Sequence, residues 1–396
     1  MEQCSYFIQG FRVSAVRAGL KKEDATDLAL IVSEGESVAA GVFTTNQVKA
    51  APVILTQERV GNGKARAIVV NAGNANACTG NAGLDDARLI AALVAEELGV
   101  SRNDVLMAST GVIGRPLDTG LIKGAIPGLV ESLSPQGIPL AARAIMTTDS
   151  FPKISRFEGR SGGRPYSIVG IAKGAGMIMP DMATMLAFVL TDIQIDANLL
   201  RCALFSSVER TFNRITVDGD MSTNDTVLVM ANGMAGNNSL SETDFKDFKH
   251  GLENVTGELA RMIVQDGEGA TKLVNVEIKG AQSPADAVNA AKTVANSPLV
   301  KTAFFGHDPN WGRIMAALGR AGIEMEEERV DIWVDDVQIV AAGLGKGAEP
   351  EERASDIMAR EAFTVTIDLN KGTCEDRVVT CDLTHEYISI NAAYRT

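Results

Sequence analysis

The sequence predicts an α/β (α+β) protein, because short runs rich in β-branched and apolar residues alternate with longer stretches of helical periodicity. With 396 residues, 45% hydrophobic content and 38 glycines, the chain is long enough to bury a sizeable core and to form two domains. No repeat of solenoid period and no low-complexity linker interrupts it.

The elements follow in chain order. Residues 28 to 33 (Leu-Ala-Leu-Ile-Val-Ser), 67 to 71 (Ala-Ile-Val-Val-Asn) and 105 to 108 (Val-Leu-Met-Ala) read as strands. Between the last two, residues 86 to 98 put Leu89, Ile90, Leu93, Val94 and Leu98 on one helical face, with Asp85 as cap and Gly99 as stop. Residues 186 to 190 (Leu-Ala-Phe-Val-Leu) and 227 to 231 (Val-Leu-Val-Met-Ala) are strands. The helix of residues 197 to 212 lies between them, carrying Leu200, Leu204, Val208 and Phe212 after Asp196. The charged stretch around His250 reads as helical. A strand at residues 274 to 278 is followed by the breaker cluster Gly280-Ala-Gln-Ser-Pro284, which is the best candidate for a domain change, and by an Ala-rich helix over residues 285 to 296. Residues 330 to 334 and 363 to 369 complete the strands.

Composition excludes several functions. The net charge of -13, without a basic cluster interleaved with aromatics, argues against nucleic-acid binding, whereas an acidic field would attract a cationic metabolite. No apolar run reaches the roughly 18 residues of a membrane span, and the start, Met-Glu-Gln-Cys-Ser, has no signal-peptide pattern, so the cytoplasm is expected. Five cysteines (Cys4, Cys78, Cys202, Cys374 and Cys381) form no Cys-x-x-Cys pair, which suggests neither a disulfide framework nor a zinc site.

Motifs that imitate cofactor sites fail on spacing. Asn71-Ala-Gly-Asn-Ala-Asn-Ala-Cys-Thr-Gly-Asn-Ala-Gly83 follows a strand, yet its glycines at 73, 80 and 83 lack the leading Gly-x-Gly of a dinucleotide loop; amide contacts or turn geometry suit it better. Gly343-Leu-Gly-Lys-Gly-Ala lacks phosphate-loop spacing and reads as a turn. Asp218-Gly-Asp-Met-Ser-Thr-Asn-Asp225 has Val229 where a calcium loop requires glutamate. It either lines a polar cleft or caps neighbouring elements, and no metal is expected.

One stretch carries chemistry. Lys173-Gly-Ala-Gly-Met-Ile-Met-Pro-Asp-Met-Ala-Thr-Met-Leu186 reads as a self-cleavage site, because a cut before Thr184 would expose a threonine bearing both a hydroxyl nucleophile and its own amine base. The chain has three histidines. His250 and His385 have no triad context, and only His307 lies in a dense polar segment, so a distant histidine base is a poor rival. Pro180 restricts the backbone just before the bond to be cut. In Ser109-Thr-Gly-Val-Ile-Gly114, Thr110 and Gly111 could offer two donors to an oxyanion, or simply form a glycine-stabilised turn.

Together with Met146-Thr-Thr-Asp149, Gln265-Asp-Gly-Glu-Gly-Ala-Thr271, Asp308-Pro-Asn-Trp-Gly-Arg313 and the ending Asn391-Ala-Ala-Tyr-Arg-Thr396, these motifs resemble the ornithine acetyltransferase (glutamate N-acetyltransferase) family of arginine biosynthesis over almost the whole chain. The resemblance implies a layered αββα-type sandwich with a second, smaller C-terminal domain, cut between Ala183 and Thr184. The parts would be an α chain of residues 1 to 183, a nucleophile-bearing region of residues 184 to 280, and a C-terminal region of residues 281 to 396. It implies a ping-pong reaction in which Thr184 takes the acetyl group from N-acetylornithine, releases ornithine and passes the acetyl to glutamate. Thr110 and Gly111 match the oxyanion pair; Thr147, Lys173, Thr184, Glu268, Asn391 and Thr396 match substrate-contacting positions. A donor with an α-carboxylate and a terminal ammonium calls for a fixed cation and a fixed anion in one pocket, roles open to Lys173 and Glu268. No cofactor is implied; some members also use acetyl-CoA as a substrate, and the reading leans to that bifunctional kind. An α2β2 assembly is implied as well. Two rival classes are a self-processing threonine aminopeptidase and a non-enzymatic metabolite-binding protein with an intact chain.

Overall fold

The computed structural model describes residues 6–21, 24–179 and 185–393. The first sheet consists of β1 (Phe11–Val16), β2 (Leu28–Phe43), β3 (Lys64–Asn74), β4 (Val105–Val112), β5 (Lys153–Ser161), β6 (Arg164–Lys173), β7 (Leu186–Thr191) and β8 (Thr226–Ala231). Its order is β4-β3-β2-β8-β7-β6-β5, with β1 also on β2. Pairs β3/β4 and β7/β8 are parallel, and the others are antiparallel.

This sheet folds over on itself, and β2 is the pivot. Its first half pairs with β1 and β3 and its end, from Val38, with β8; the ladder to β3 shifts register between Val32 and Ser37 and stops at Val38, and a bulge there lets a long strand bend. Alternate side chains then separate into three cores. Ile31, Ile68, Val70 and Leu106 from one half meet Val169, Phe188, Leu190 and Leu228 from the other. Leu30, Val69 and Met107 face the helices α1 (Ala51–Val60), α2 (Gly80–Leu98) and α3 (Thr119–Glu131), while α4 (Ile138–Ala144) packs into the core between the halves. On the far side Ile168, Ala187, Val189, Val227 and Val229 face α5 (Ala197–Arg210) and α6 (Glu242–Gln265). The layers are therefore helix, sheet, sheet, helix, the αββα sandwich expected. Strands buried on both faces have no polar side to show, and accordingly all six residues of β7 are buried.

A second sheet contains β9 (Leu273–Ala281), β10 (Asp331–Val334), β11 (Val337–Ala341), β12 (Leu344–Gly345), β13 (Ala362–Asp368) and β14 (Cys374–Cys381), in the order β12-β11-β10-β13-β9-β14. Helices α7 (Pro284–Ala295), α8 (Pro298–Phe305), α9 (Trp311–Gly319) and α10 (Ala348–Met358) join one of its faces through Ala290, Val294, Phe304, Leu318 and Ile357, against Val276, Ile332, Val365 and Ile367. β13 alternates buried and half-buried residues, as a one-sided sheet does. Gly280 lies near the end of β9, the first strand of this sheet. The last helix, α11 (His385–Ala393), buries none of its residues and returns to the first sheet's side of the molecule.

Several expected boundaries move: the strand expected at residues 28 to 33 runs on to Phe43, the one expected at 67 to 71 spans Lys64–Asn74, and the helix expected to reach residue 212 ends at Arg210. The helix expected from residue 86 starts at Gly80 after Thr79, not at Asp85, because the Asn-rich segment supplies its first turn; Gly99 does end it in the left-handed conformation that glycine adopts freely. The strand at 105 to 108 continues to Val112 through Ser109, Thr110 and Gly111, since the parallel pairing with β3 extends to Asn74.

Candidate active site

The cavity of interest opens at the end of β4 and β6, where the two halves of the folded sheet meet. It measures about 200 Å³ and is lined by Thr110, Gly111, Thr147, Lys173, Glu268 and Asn391, with Asp218, Asn224 and Tyr387 beside them. Six of the positions singled out in the sequence thus lie around one space, although up to 281 residues separate them in the chain (391 less 110). Thr184, Ala183 and Thr396 lie outside the described residues. None of the three histidines lines the cavity: His250 is on α6 beside Asn254 Nδ2 at 3.2 Å, His385 opens α11 edge-on to Phe305, and His307 is in a turn after α8.

Gly111 must be glycine. Its φ is +133°, and a Cβ there would stand 2.3 Å from the Gly73 carbonyl carbon and 2.5 Å from the Asn74 nitrogen, closer than any real side chain approaches backbone. The same approach of β3 explains the Asn-rich loop. Asn74 donates to the Arg115 and Pro116 carbonyls at 3.3 and 3.0 Å, and Asn71 to the Asn74 carbonyl at 2.9 Å. Asn224, from the acidic knot, donates to the Ala75 and Ser109 carbonyls at 2.7 and 2.8 Å. The loop therefore supplies turn geometry that fixes the backbone beside Thr110 and Gly111.

Lys173 ends β6 with 3% exposure, so it is not the solvated charge that an isolated lysine usually is. Its ammonium donates to Thr110 Oγ1 at 3.4 Å. A hydroxyl has one hydrogen and two lone pairs, so a lone pair facing Lys173 leaves the Thr110 hydrogen free to point into the cavity. Burial pulls the Lys173 pKa down, while Asp149, Glu268 and Asp225 oppose that pull and Lys153 adds to it. Asp149 is held to about 2, because Lys173, Lys153 and the Gly174 N–H together outweigh the burial that would raise it.

The acidic knot performs both jobs considered for it. Asp218 caps the segment before residue 180 by accepting from the Met177 and Ile178 N–H groups at 2.7 and 2.9 Å, and it lines the cavity while accepting from Tyr387 Oη at 3.1 Å. Burial raises its pKa and that of Tyr387. Asp225, fully buried, accepts from Met185 N–H at 2.9 Å, and burial holds its carboxyl well above the usual carboxylate range. Among the described residues no group of three His, Cys, Asp or Glu could hold a metal ion.

Glu268 lies just past the end of α6, where its N–H donates to the Ala175 carbonyl at 2.9 Å and its carboxylate accepts from Asn391 Nδ2 at 2.8 Å. Sequence reading missed two supports beneath these groups, Tyr387 and the buried Lys153 that bonds Asp149 at 2.7 Å and Asp266 at 2.5 Å. Asp149 stood in a noticed motif. Lys153 and Asp266 are 113 residues apart, and no local spacing could have paired them.

A larger, more open groove of about 800 Å³, with Arg210, Arg214, Glu277 and Asp376 in its lining, contains none of the expected positions; its charges pair with one another, as Arg214 does with Asp376 at 2.9 Å. Among the described residues no helix is long and apolar enough to cross a membrane.

The "Arginine biosynthesis bifunctional protein ArgJ" of Geobacter sulfurreducens is 53% identical over 391 residues, covering 98% of this chain and all of its own. The "Glutamate N-acetyltransferase" of Methanocaldococcus jannaschii is 47% identical, covering 95% of each chain. Among solved structures, ArgJ of Bacillus halodurans aligns at 40% identity and a TM-score of 0.49, over 51% of this chain and 96% of that one. The family model described as ArgJ matches residues 12–396, and with relatives this similar over their whole length, the chain belongs to the ArgJ family.

Proposed function

We propose that the chain is a glutamate N-acetyltransferase of arginine biosynthesis that cuts itself before Thr184 and then moves the acetyl group from N-acetylornithine to glutamate through an acetyl-Thr184 ester. The observation that carries this reading is the convergence of Thr110, Gly111, Thr147, Lys173, Glu268 and Asn391 on one cavity in a member of the ArgJ family.

In the first half-reaction the Thr184 hydroxyl oxygen bonds to the acetyl carbonyl carbon while its proton passes to the residue's own α-amine. That amine starts near pKa 8, within reach of neutral pH. The oxyanion is met by the Thr110 hydroxyl and the Gly111 N–H, donors that the β3 backbone and Lys173 hold in advance of reaction. The C–N bond then breaks, the departing ornithine nitrogen takes the proton, and the acetyl group remains as an ester. Glutamate's amine attacks that ester in the second half-reaction, and Thr184 leaves with its proton restored. Lys173 suits the α-carboxylate of either amino acid; Glu268, with Asp218 and Asp220 nearby in the lining, suits the terminal ammonium of ornithine. Acetyl-CoA as a second donor, an α2β2 assembly and a cytoplasmic location complete the proposal.

The self-cleavage step uses the same hydroxyl on the Ala183 carbonyl: the peptide bond shifts to an ester, and water then releases the α chain. Denaturing electrophoresis with intact mass and amino-terminal sequencing, beside a Thr184→Ala variant, tests it. Two fragments with the larger beginning at Thr184, an uncut variant, and acetyl transfer from N-acetylornithine to glutamate are expected. An uncut wild-type chain would overturn the mechanism. Cleavage with release of free amino acids from peptides, and no acetyl transfer, would make it an aminopeptidase instead.

A further inference from the structure

Beneath the cavity lies a chain of buried charges that the reaction does not consume. Lys153 is 0% exposed and bonds Asp149 on one side at 2.7 Å and Asp266 on the other at 2.5 Å. Asp149 also accepts from the N–H of Thr147 at 3.0 Å and of Gly174 at 2.7 Å, so it fixes both the Thr147 turn and the residue after Lys173. Asp266 accepts from Ser150 N–H at 3.0 Å and precedes Glu268 by two residues. Glu268 in turn donates its N–H to Ala175, two residues after Lys173. Every segment that brings a charged group to the cavity from these three regions is thus tied to one ammonium.

We propose that Lys153, with Asp149 and Asp266, is a positioning residue that sets the separation of Lys173 from Glu268 and thereby selects the length of the amino-acid donor. The inference rests on the donor reading above. Counted together, Lys153 and Lys173 balance Asp149 and Asp266, and in a low-dielectric interior such balance is what makes the arrangement tolerable. Without the Lys153 charge, Lys173 is the one cation left of the two that act on Asp149. It is drawn off Thr110 towards Asp149, and the spacing between the pocket's cation and anion loosens. The groups facing Lys173 are Asp149, Lys153, Glu268 and Asp225; removing the only like charge among them leaves its ammonium easier to hold protonated.

The test uses the full chain as Lys153→Met, Lys153→Arg and Asp266→Asn. It measures kcat and KM for N-acetylornithine and for the donors one methylene longer and shorter, N-acetyllysine and N-acetyl-2,4-diaminobutyrate, across pH and beside thermal melts. A pocket of fixed length discriminates one methylene by about 10- to 200-fold. In Lys153→Met that preference is expected to fall about tenfold, mainly through KM for N-acetylornithine, with the alkaline limb of the pH profile moved upward; Lys153→Arg restores part of both. Equal loss on all three donors with an unmoved pH profile overturns the proposal. Where Lys153→Met does not fold, Asp266→Asn decides by the same selectivity ratio. Wild-type protein that turns over none of the three donors refutes the donor reading itself, and the inference with it.

Discussion

Replacing Gly111 by alanine tests the oxyanion geometry with a number taken from the backbone. The added Cβ would lie 2.3 Å from the Gly73 carbonyl carbon, about 1 Å inside ordinary contact, and neither strand can yield by rotating a side chain. The variant must therefore part β4 from β3 at the point where the Gly111 N–H is presented. Overpacking of this kind costs about 1–3 kcal/mol, and the positive φ adds about 1 kcal/mol. Loss of one oxyanion donor costs a further factor of about 10² to 10³ in kcat. The control is Gly114→Ala, three residues on, which shares a positive φ of 79° but meets no atom within 4 Å. It should lose about 1 kcal/mol of stability and little activity. The assay is single-turnover acetyl transfer to glutamate, alongside thermal denaturation and quantified self-cleavage. If Gly111→Ala matches Gly114→Ala in kcat, the donor at residue 111 contributes nothing and the oxyanion assignment is wrong.

Further expectations concern the charges. Gly176→Ala places a Cβ 2.4 Å from Glu268 Oε2, the free end of a side chain that can swing aside, so KM for N-acetylornithine should rise about tenfold while the melting temperature stays near wild type; a large stability loss would show that Glu268 cannot move. Lys173→Met should reduce kcat/KM by about 10²-fold or more, since it removes both a carboxylate partner and the group beside Thr110, and steady-state kinetics would expose a negligible change. Asp149 has a folded pKa of about 2 against an ordinary 3.8. A depressed carboxylate contributes stability fully above its unfolded value and loses it as pH falls from about 4 to 2. Asp149→Asn should accordingly cost on the order of 2 kcal/mol at neutral pH, with the gap from wild type closing below pH 3 in acid titrations followed by circular dichroism.

Much of the fold was readable because its strands are buried on both faces. Leu186 to Leu190 and Val227 to Met230 are apolar without alternation, and the sandwich between helices is the reason. The β5/β6 hairpin escaped notice, since Lys153-Ile-Ser-Arg-Phe-Glu-Gly-Arg-Ser161 mixes charges into a strand whose outer residues are exposed. Its turn did leave a signal, Gly162 and Gly163 both at positive φ. At the site, Lys173 and Glu268 drew attention through the family motifs, but the burial of Lys173 and the support both draw from Lys153 arise from contacts between β5, β6 and the end of α6 that no window of sequence contains. The Asn-rich loop shows the converse: its composition announced turn geometry, while its purpose, bracing the backbone at Thr110, depends on Asn224 far along the chain.

The same distribution of contacts accounts for how a chain cut after residue 183 would stay whole. β6 belongs to the part before the cut and β7 to the part after it, yet they pair over six residues from Ile168 with Thr191 to Lys173 with Leu186. β2 and β8 do so again across the sheet's bend. Near the cut, the earlier part is held by the later one at close range: Asp218 grips the N–H groups of Met177 and Ile178, and the Ile178 carbonyl accepts from Val217 N–H at 2.8 Å and Thr216 Oγ1 at 3.0 Å. Met185, on the other side, is fixed at its N–H by Asp225 and at its carbonyl by Thr226. Releasing the parts would unpair two interior ladders and expose the central core of Ile31, Ile68, Phe188 and Leu228, a far larger loss than one peptide bond restrains. Cleavage can therefore free an amine at Thr184 while hydrogen bonds still hold both flanks, which is the condition an amino-terminal nucleophile needs: new chemistry at a chain end that the rest of the sheet keeps in place.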